Sequence, residues 1–536
     1  MNTSRNRFLH QIYPLFCLAF GLIFASPAVN ADEITEKKID AAVKQAMDVF
    51  HVPGMAVSVI HDGEVIYSKG HGVLEINKVE RVDRDTLFQI ASISKAFTAA
   101  SLALLADEGK LGWEDKVIDY LPEFRMYDSW VTREFTIRDL LTHRSGLGLG
   151  AGDLLIFPSG NTSSDEVIRA MRYLKPATSF RSTYAYDNLM YIIAGEVVAS
   201  VSGMSYGDFV ESRLLAPLGM EGCRAGITRA EGVVNRATPH VMVDGELQVT
   251  YFEKSDLTAA AGGIQCSAAG MARWLSMWLS YDDQAQEAED QKAEEQPIIS
   301  PEQVAELLNP VTLVPTKDYV KEHAGSHMSA YALGWGVSSF YGRPIYEHGG
   351  LLWGMTSFTA MLPEENLAVF VSNNQMTAGP RAVVFEILDQ FLGNEKDWVS
   401  IYQDLVNSRN QEADEEVAAA AAARQVDSRP SLPLEIYVGT YRDSWYGDIS
   451  IELVDDKLFF RSARTPQLSG PLEHFQFDTF IARWTDRQLM ADAYVSFYLT
   501  PEGTIERIAM KAVSPETDFS YDFHDLDLRY VKEQEE

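Results

Sequence analysis

Basic charge is in short supply. Forty-five lysines and arginines stand against 77 aspartates and glutamates in 536 residues, a formal net charge of −32. That balance argues against nucleic acid or anionic lipid as a partner, and its plain consequence is solubility. Long apolar runs are also lacking. The stretch over residues 12–24 is too short to span a bilayer comfortably, and no later segment has the length of a membrane helix. Cysteine is scarce, with three in the chain. Cys17 follows Phe16 rather than a small residue, which argues against a lipid-modified cysteine. His323 and His327 are four apart, but Gly325 interrupts them and no third ligand is evident, so neither a metal nor a cofactor is expected.

The N-terminus reads as an address. Arg5 and Arg7 precede the apolar stretch, and "ASPAVNADE" follows with Val29 and Ala31. This pattern predicts a secretory signal over 1–31, cleaved after Ala31. The mature protein is then soluble, exported across the inner membrane and periplasmic. An oxidising compartment permits a bridge between Cys223 and Cys266. Two buried thiols are the plainer reading, and spacing alone leaves both open.

With 46% hydrophobic residues the chain can bury a large core, and more than one domain is expected. Residues 34–50 read as an amphipathic helix. In "GMAVSVIHDGEVIYSKGHG", 54–72, alternating apolar residues flank Asp62-Gly63, a hairpin signal. A mostly helical middle runs to about residue 280. Strand signals return over 331–374, and a helix over 381–392 ends at Gly393. The pattern predicts an α/β domain over 32–395 with a mostly antiparallel sheet closed by distant segments. The acidic stretch 281–297 reads as a solvated insertion, and 396–433, ending in two prolines, as a linker. Short alternating strands with tight turns then predict a small antiparallel β-barrel over 434–536. The barrel segment holds no cluster of nucleophile, base and oxyanion donors, and reads as a structural cap.

Three pieces carry chemistry. In "FQIASISKAFTAASLALL", 88–105, Lys95 sits within an almost wholly apolar helix. Such a helix is normally buried, and a buried ammonium is costly without partners. Ser92, three residues earlier, shares its face. A desolvated lysine can take the proton of a serine nucleophile, or hold a phenolate in that role. A snorkelling lysine beside a chance serine is the alternative. Tyr186-Asp187-Asn188 offers a phenol and a carboxamide at a helix start, or simply a helix cap. In "IYEHGGLLWG", 345–354, Gly349 and Gly350 end an apolar strand just before its partner and would let a ligand lie against the strand edge, with the Leu351 N–H beyond them. A plain glycine turn with His348 exposed is the alternative.

Together the pieces resemble the serine β-lactamase and penicillin-binding-protein superfamily, with its S-x-x-K, Tyr-x-Asn and K-T-G motifs. The likeness is to the class C β-lactamase-like branch, which includes D-stereospecific peptidases and esterases. "FTIRDLLTHRSGLG", 135–148, also looks like a family hallmark; locally it reads as a helix begun at Thr136 and stopped by Gly146. The resemblance covers about residues 34–395, and the C-terminal part resembles the lipocalin-like barrel of some exported hydrolases. It implies an acylated Ser92, proton transfer shared by Lys95 and Tyr186, and substrate binding by Asn188, His348, Gly349, Gly350 and Leu351. The N–H groups of Ser92 and Leu351 would form the oxyanion hole. The substrate implied is a small peptide, amide or ester, foremost one containing D-amino acids or derived from peptidoglycan. Where the family has a lysine, His348 stands, mostly neutral near pH 7. This disfavours the alternatives of an efficient β-lactamase or a D-Ala-D-Ala carboxypeptidase. A catalytically inactive binder of cell-wall fragments is the rival from another class. "GMSYG", 203–207, fits the G-x-S-x-G elbow, but a helix precedes it; Gly203 reads as a C-cap and Ser205 as the next N-cap.

Overall fold

The computed structural model describes residues 36–280 and 297–532. The signal reading over 1–31 and the acidic stretch through residue 296 lie outside the described residues. Strands Gly54–His61 and Glu64–Gly72 form the first hairpin. Asp62 and Gly63 both have positive φ, +50° and +79°, which suits a two-residue turn between right-twisted strands. The free edge of Gly54–His61 pairs with Leu367–Asn373, Met55 opposite Asn373. That pairing joins the two ends of the domain, and it buries both strands almost completely.

The sheet has eight strands, in the order Glu64–Gly72, Gly54–His61, Leu367–Asn373, Met355–Leu362, Arg343–Leu352, Gly336–Phe340, Ser329–Tyr331 and Thr312–Val314. Every pairing is antiparallel. On one face, Ile39 and Val43 of helix Glu36–Val49, Phe385 of helix Gly379–Phe391 and Trp398 pack with Val57, Val59 and Val369. Helix Ala268–Leu279 and the helical middle cover the other face. Within that middle, helix Ser94–Asp107 is buried on all sides through Leu105. It stops where Gly109 takes φ +66° and the Lys110 N–H returns to the Leu105 carbonyl.

Three local expectations need correction. The strand holding His348 does not end at its glycines; Gly349 and Gly350 lie inside Arg343–Leu352, and the turn is Trp353-Gly354. His348 is buried, not exposed in a turn. The helix begun at Thr136, with its capping box to Asp139, ends at Leu141 rather than at Gly146. The cap reading of 203–207 holds: Gly203 has φ +72° and Ser205 accepts the Asp208 N–H. Cys223 and Cys266 are disulfide-bonded.

The segment 396–433, read as a linker, holds one long helix, Trp398–Ala422. Its first turns are buried under the sheet through Trp398, Val399 and Tyr402. Beyond it, Arg424 donates to the carbonyls of Phe475 and His474 in the C-terminal domain. That domain is a closed barrel of eight antiparallel strands from Gly439–Asp443 to Leu528–Tyr530. The rings of Tyr437, Tyr441, Phe480 and Phe497 meet edge to face inside it. The apolar core of the helical region runs without a break into this barrel.

Candidate active site

Strand Phe88–Gln89 pairs with Gln265–Cys266 and delivers the chain to a tight turn, Ala91–Ile93, ahead of helix Ser94–Asp107. Ala91 has φ +48°, a strained value for a residue with a Cβ. It is held there by apolar contact with Ile227 and Leu352. Ser92 follows it, half-buried at the mouth of the helix.

Lys95 is fully buried. Its Nζ lies 3.1 Å from Ser92 Oγ, 2.8 Å from Asn188 Oδ1 and 2.7 Å from the Ala261 carbonyl oxygen. An ammonium satisfies all three contacts by donating three times. A neutral amine satisfies them as well: two N–H bonds go to the two oxygens that can only accept, and the lone pair faces the Ser92 hydroxyl. A proton can therefore pass between Ser92 and Lys95 without rearrangement. Burial pushes the lysine down to about 7, against the opposing pull of Asp153 and Asp187.

Tyr186 also faces Ser92, whose hydroxyl favours the ionised phenol, and its ring centroid lies 4.7 Å from Lys95 Nζ. Burial pushes its phenol well above the ordinary value. Its neighbour Asp187 caps helix Asn188–Ser202, so the cap reading holds while Tyr186 and Asn188 flank Lys95. Asn188, the first residue of that helix, gives its oxygen to Lys95 and donates Nδ2–H to Asp153 Oδ2 at 2.8 Å.

His348 faces the same side as Gly350. Its Nδ1 lies 2.6 Å from the Gly349 carbonyl oxygen and its Nε2 lies 2.9 Å from the Tyr331 hydroxyl. A carbonyl only accepts, so Nδ1 carries the hydrogen and Nε2 accepts from Tyr331. Burial pushes the imidazole down to about 3, with Lys95 adding to the effect, so the ring is neutral. A Cβ on Gly350 would stand 2.2 Å from the Ile90 oxygen, so only glycine lets the strand lie against the nucleophile turn. Gly349 points the other way, toward Phe358. Leu352 and Met355 flank a two-residue turn and bond each other, so the Leu351 N–H points to the opposite edge. Among the described residues no strand covers that edge beyond Glu347.

All eight residues singled out from the sequence thus fall in one region around the Ser92 turn. Sequence reasoning missed several others. Ala261 lies in a short turn with no chemical signature. His143 accepts the Asp187 N–H on Nδ1, so its hydrogen is on Nε2; its ring centroid is 4.2 Å from that of Tyr186. Asp153 bonds Asn188. Most unexpected are residues of the barrel. Ser520 Oγ donates to Asp153 Oδ2 at 3.0 Å, Asp522 accepts the N–H groups of Gly152 and Leu154, and Phe519 meets the Tyr186 ring edge-on. The barrel is more than a structural cap: it reaches the site.

An antiparallel sheet beside a helical region, with Ser-x-x-Lys at the head of a buried helix and a glycine strand edge across from it, defines the serine β-lactamase and penicillin-binding-protein superfamily. The Beta-lactamase family model matches residues 39–389, and the chain belongs to that family. A model described as a domain of unknown function matches residues 423–530. The chain is 28% identical over 495 residues to Unguisins hydrolase ungD' of Aspergillus campestris, covering 86% of each chain. It is 24% identical over 349 residues to Protein flp of Staphylococcus aureus, covering 63% of each. Among solved structures it is similar to an octameric penicillin-binding protein homologue from Pyrococcus abyssi, with a TM-score of 0.58 at 21% identity, covering 88% of this chain and 97% of that one.

Proposed function

We propose that this protein is an exported serine hydrolase that opens amide or ester bonds through an acyl-enzyme on Ser92. The observation that carries the reading is the enclosure of Lys95, whose Nζ has three acceptors and Ser92 Oγ as one of them. With its pKa near 7 the lysine is the group that gives and takes a proton near neutral pH. It serves as base, while Tyr186, kept a neutral phenol by burial, relays the proton to the leaving group. The Ser92 and Leu351 N–H groups stabilise the oxyanion. Asn188 and the edge from His348 to Leu351 hold the substrate.

A peptide or amide containing D-amino acids, or an ester, fits better than a β-lactam. A neutral His348 provides no cation for a substrate carboxylate. The relatives named as unguisins hydrolases support hydrolysis as the class of reaction. Export, to the periplasm, is supported by the bridge between Cys223 and Cys266, a bond that persists in oxidising compartments.

The test is one purified sample given a fluorophosphonate, p-nitrophenyl esters, D-amino-acid p-nitroanilides and nitrocefin. We expect labelling at Ser92, turnover of an ester or anilide, and loss of both in a folded Ser92→Ala variant. Retention of cell-wall fragments with neither labelling nor turnover would make the protein a binder. Efficient nitrocefin hydrolysis would restore the β-lactamase alternative.

A further inference from the structure

The orientation of one side-chain amide decides what Lys95 meets. With Asn188 Oδ1 toward it, the amine has an acceptor and keeps its lone pair for Ser92. Turned over, the amide would present N–H groups to a nitrogen whose lone pair is needed elsewhere. Asp153 selects the productive orientation, because its Oδ2 accepts and so takes the Nδ2 side. Asp153 has a second partner on the same oxygen, the Ser520 hydroxyl. Its loop is clamped by Asp522, whose two oxygens accept the Gly152 N–H at 2.6 Å and the Leu154 N–H at 3.0 Å. Asp153 and Asp522 are fully buried and Ser520 nearly so. An unbroken chain of contacts thus leads from the barrel through Ser520, Asp153 and Asn188 to Lys95.

We propose that Ser520 and Asp153 are positioning residues of the hydrolytic site: through them the barrel domain holds the Asn188 carbonyl on Lys95 and so prepares the base. The proposal rests on the reading of Ser92 and Lys95 given above. Lys95 also faces Asp187, the imidazoles of His143 and His348, and the rings of Tyr186 and Tyr191; Asp522 lies behind Asp153. Burial keeps both imidazoles neutral and raises the carboxyls of Asp153, Asp187 and Asp522, while the Asn188 and Ala261 oxygens, which accept from Lys95, favour its ammonium form.

The experiment is the pH dependence of kcat/KM for a p-nitrophenyl ester in the full-length protein and in Ser520→Ala, Ser520→Thr and Asp153→Ala, with fluorophosphonate labelling of Ser92 in each. Ser520→Ala and Asp153→Ala are expected to lower the plateau roughly 10- to 100-fold, mainly in kcat, as a displaced catalytic contact does. Both should also move the acidic limb to lower pH, because an Asn188 oxygen held less firmly on Lys95 favours the ammonium less. Ser520→Thr keeps the hydroxyl and should restore plateau and limb. Thr500→Ala, at an exposed hairpin of the same barrel, should change neither. A Ser520→Ala variant with the wild-type plateau and limb overturns the proposal. So does a lowered plateau with an unmoved limb, which is what a merely structural contact would give. A wild-type protein not labelled at Ser92 overturns the nucleophile reading instead, and this one with it.

Discussion

Lys95 is enclosed: each of its three hydrogen-bond contacts goes to a named oxygen. Burial holds its pKa at about 7, so the free amine prevails only above that pH. We therefore expect kcat/KM to rise about tenfold per pH unit below 7 and to level off above about pH 8. Lys95→Arg should be inactive across the range, since a guanidinium keeps its proton. A limb below pH 5, or an active Lys95→Arg protein, would remove Lys95 from the base role. The Ser92–Lys95 pair is legible in sequence because residues three apart on a helix share a face whatever the rest of the fold does. Asp153 and Ser520 are not, because 367 residues separate them and only the docking of two domains brings them together. Nor does "DFSYDFHDL" carry any spacing that distinguishes a site from a surface loop.

At the scale of elements, the strand Arg343–Leu352 shows how a local signal misleads. Two adjacent glycines weaken a strand by entropy and by missing side chains, so they read as its end. The structure runs the strand through them because Gly350 must pass the Ile90 carbonyl, and that contact comes from a segment some 260 residues away in sequence. The hairpin at Asp62-Gly63 was legible for the opposite reason, since turn and strands are one local unit. The two glycines are expected to separate on mutation. Gly350→Ala puts a methyl 2.2 Å from the Ile90 oxygen and 3.0 Å from the Ala91 Cβ. It should cost about 1–3 kcal/mol, as overpacking does, and displace the nucleophile turn enough to abolish labelling of Ser92. Gly349→Ala meets only the Phe358 ring, at 3.3 Å, and should keep most activity. Thermal unfolding and labelling of the two variants side by side decide the matter. Equal stability and equal labelling would mean that the strand does not press on the turn.

For the whole molecule, the docking of barrel on helical region buries carboxyl groups that would rather be neutral. Burial raises Asp153 and Asp522 well above the ordinary carboxyl range, with Asp187 adding to the rise of Asp153 and Asp153 to that of Asp522, and raises Asp187 and Glu253 to about 7. Glu253, 6% exposed, takes the Ser159 N–H and hydroxyl beside the barrel contact of Gln467 with the Ser159 carbonyl. The sign follows from proton counting. Between about pH 4 and 7 the folded state binds more protons at these groups than the unfolded state, so raising the pH through that window destabilises it. Lys95 acts in the opposite sense, but only above its own value of about 7, where the unfolded chain holds the proton that the folded one releases. The net charge of −32 adds repulsion in the same direction as the carboxyls. Tm is therefore expected to be higher near pH 5 than near pH 7. Asp522→Asn removes one of the titrating groups, so its slope of Tm against pH should be shallower. It should also start lower, because an amide has one oxygen where the N–H groups of Gly152 and Leu154 need two. Hydrogen-exchange protection over residues 518–523, taken relative to the unstructured rate at each pH, should fall in parallel with Tm, since the strap holding Ser520 and Asp522 opens when the barrel loosens. A Tm that is flat or rising from pH 5 to 7 would mean that these carboxyls are already ionised in the folded protein, and that the domains stay docked by packing alone.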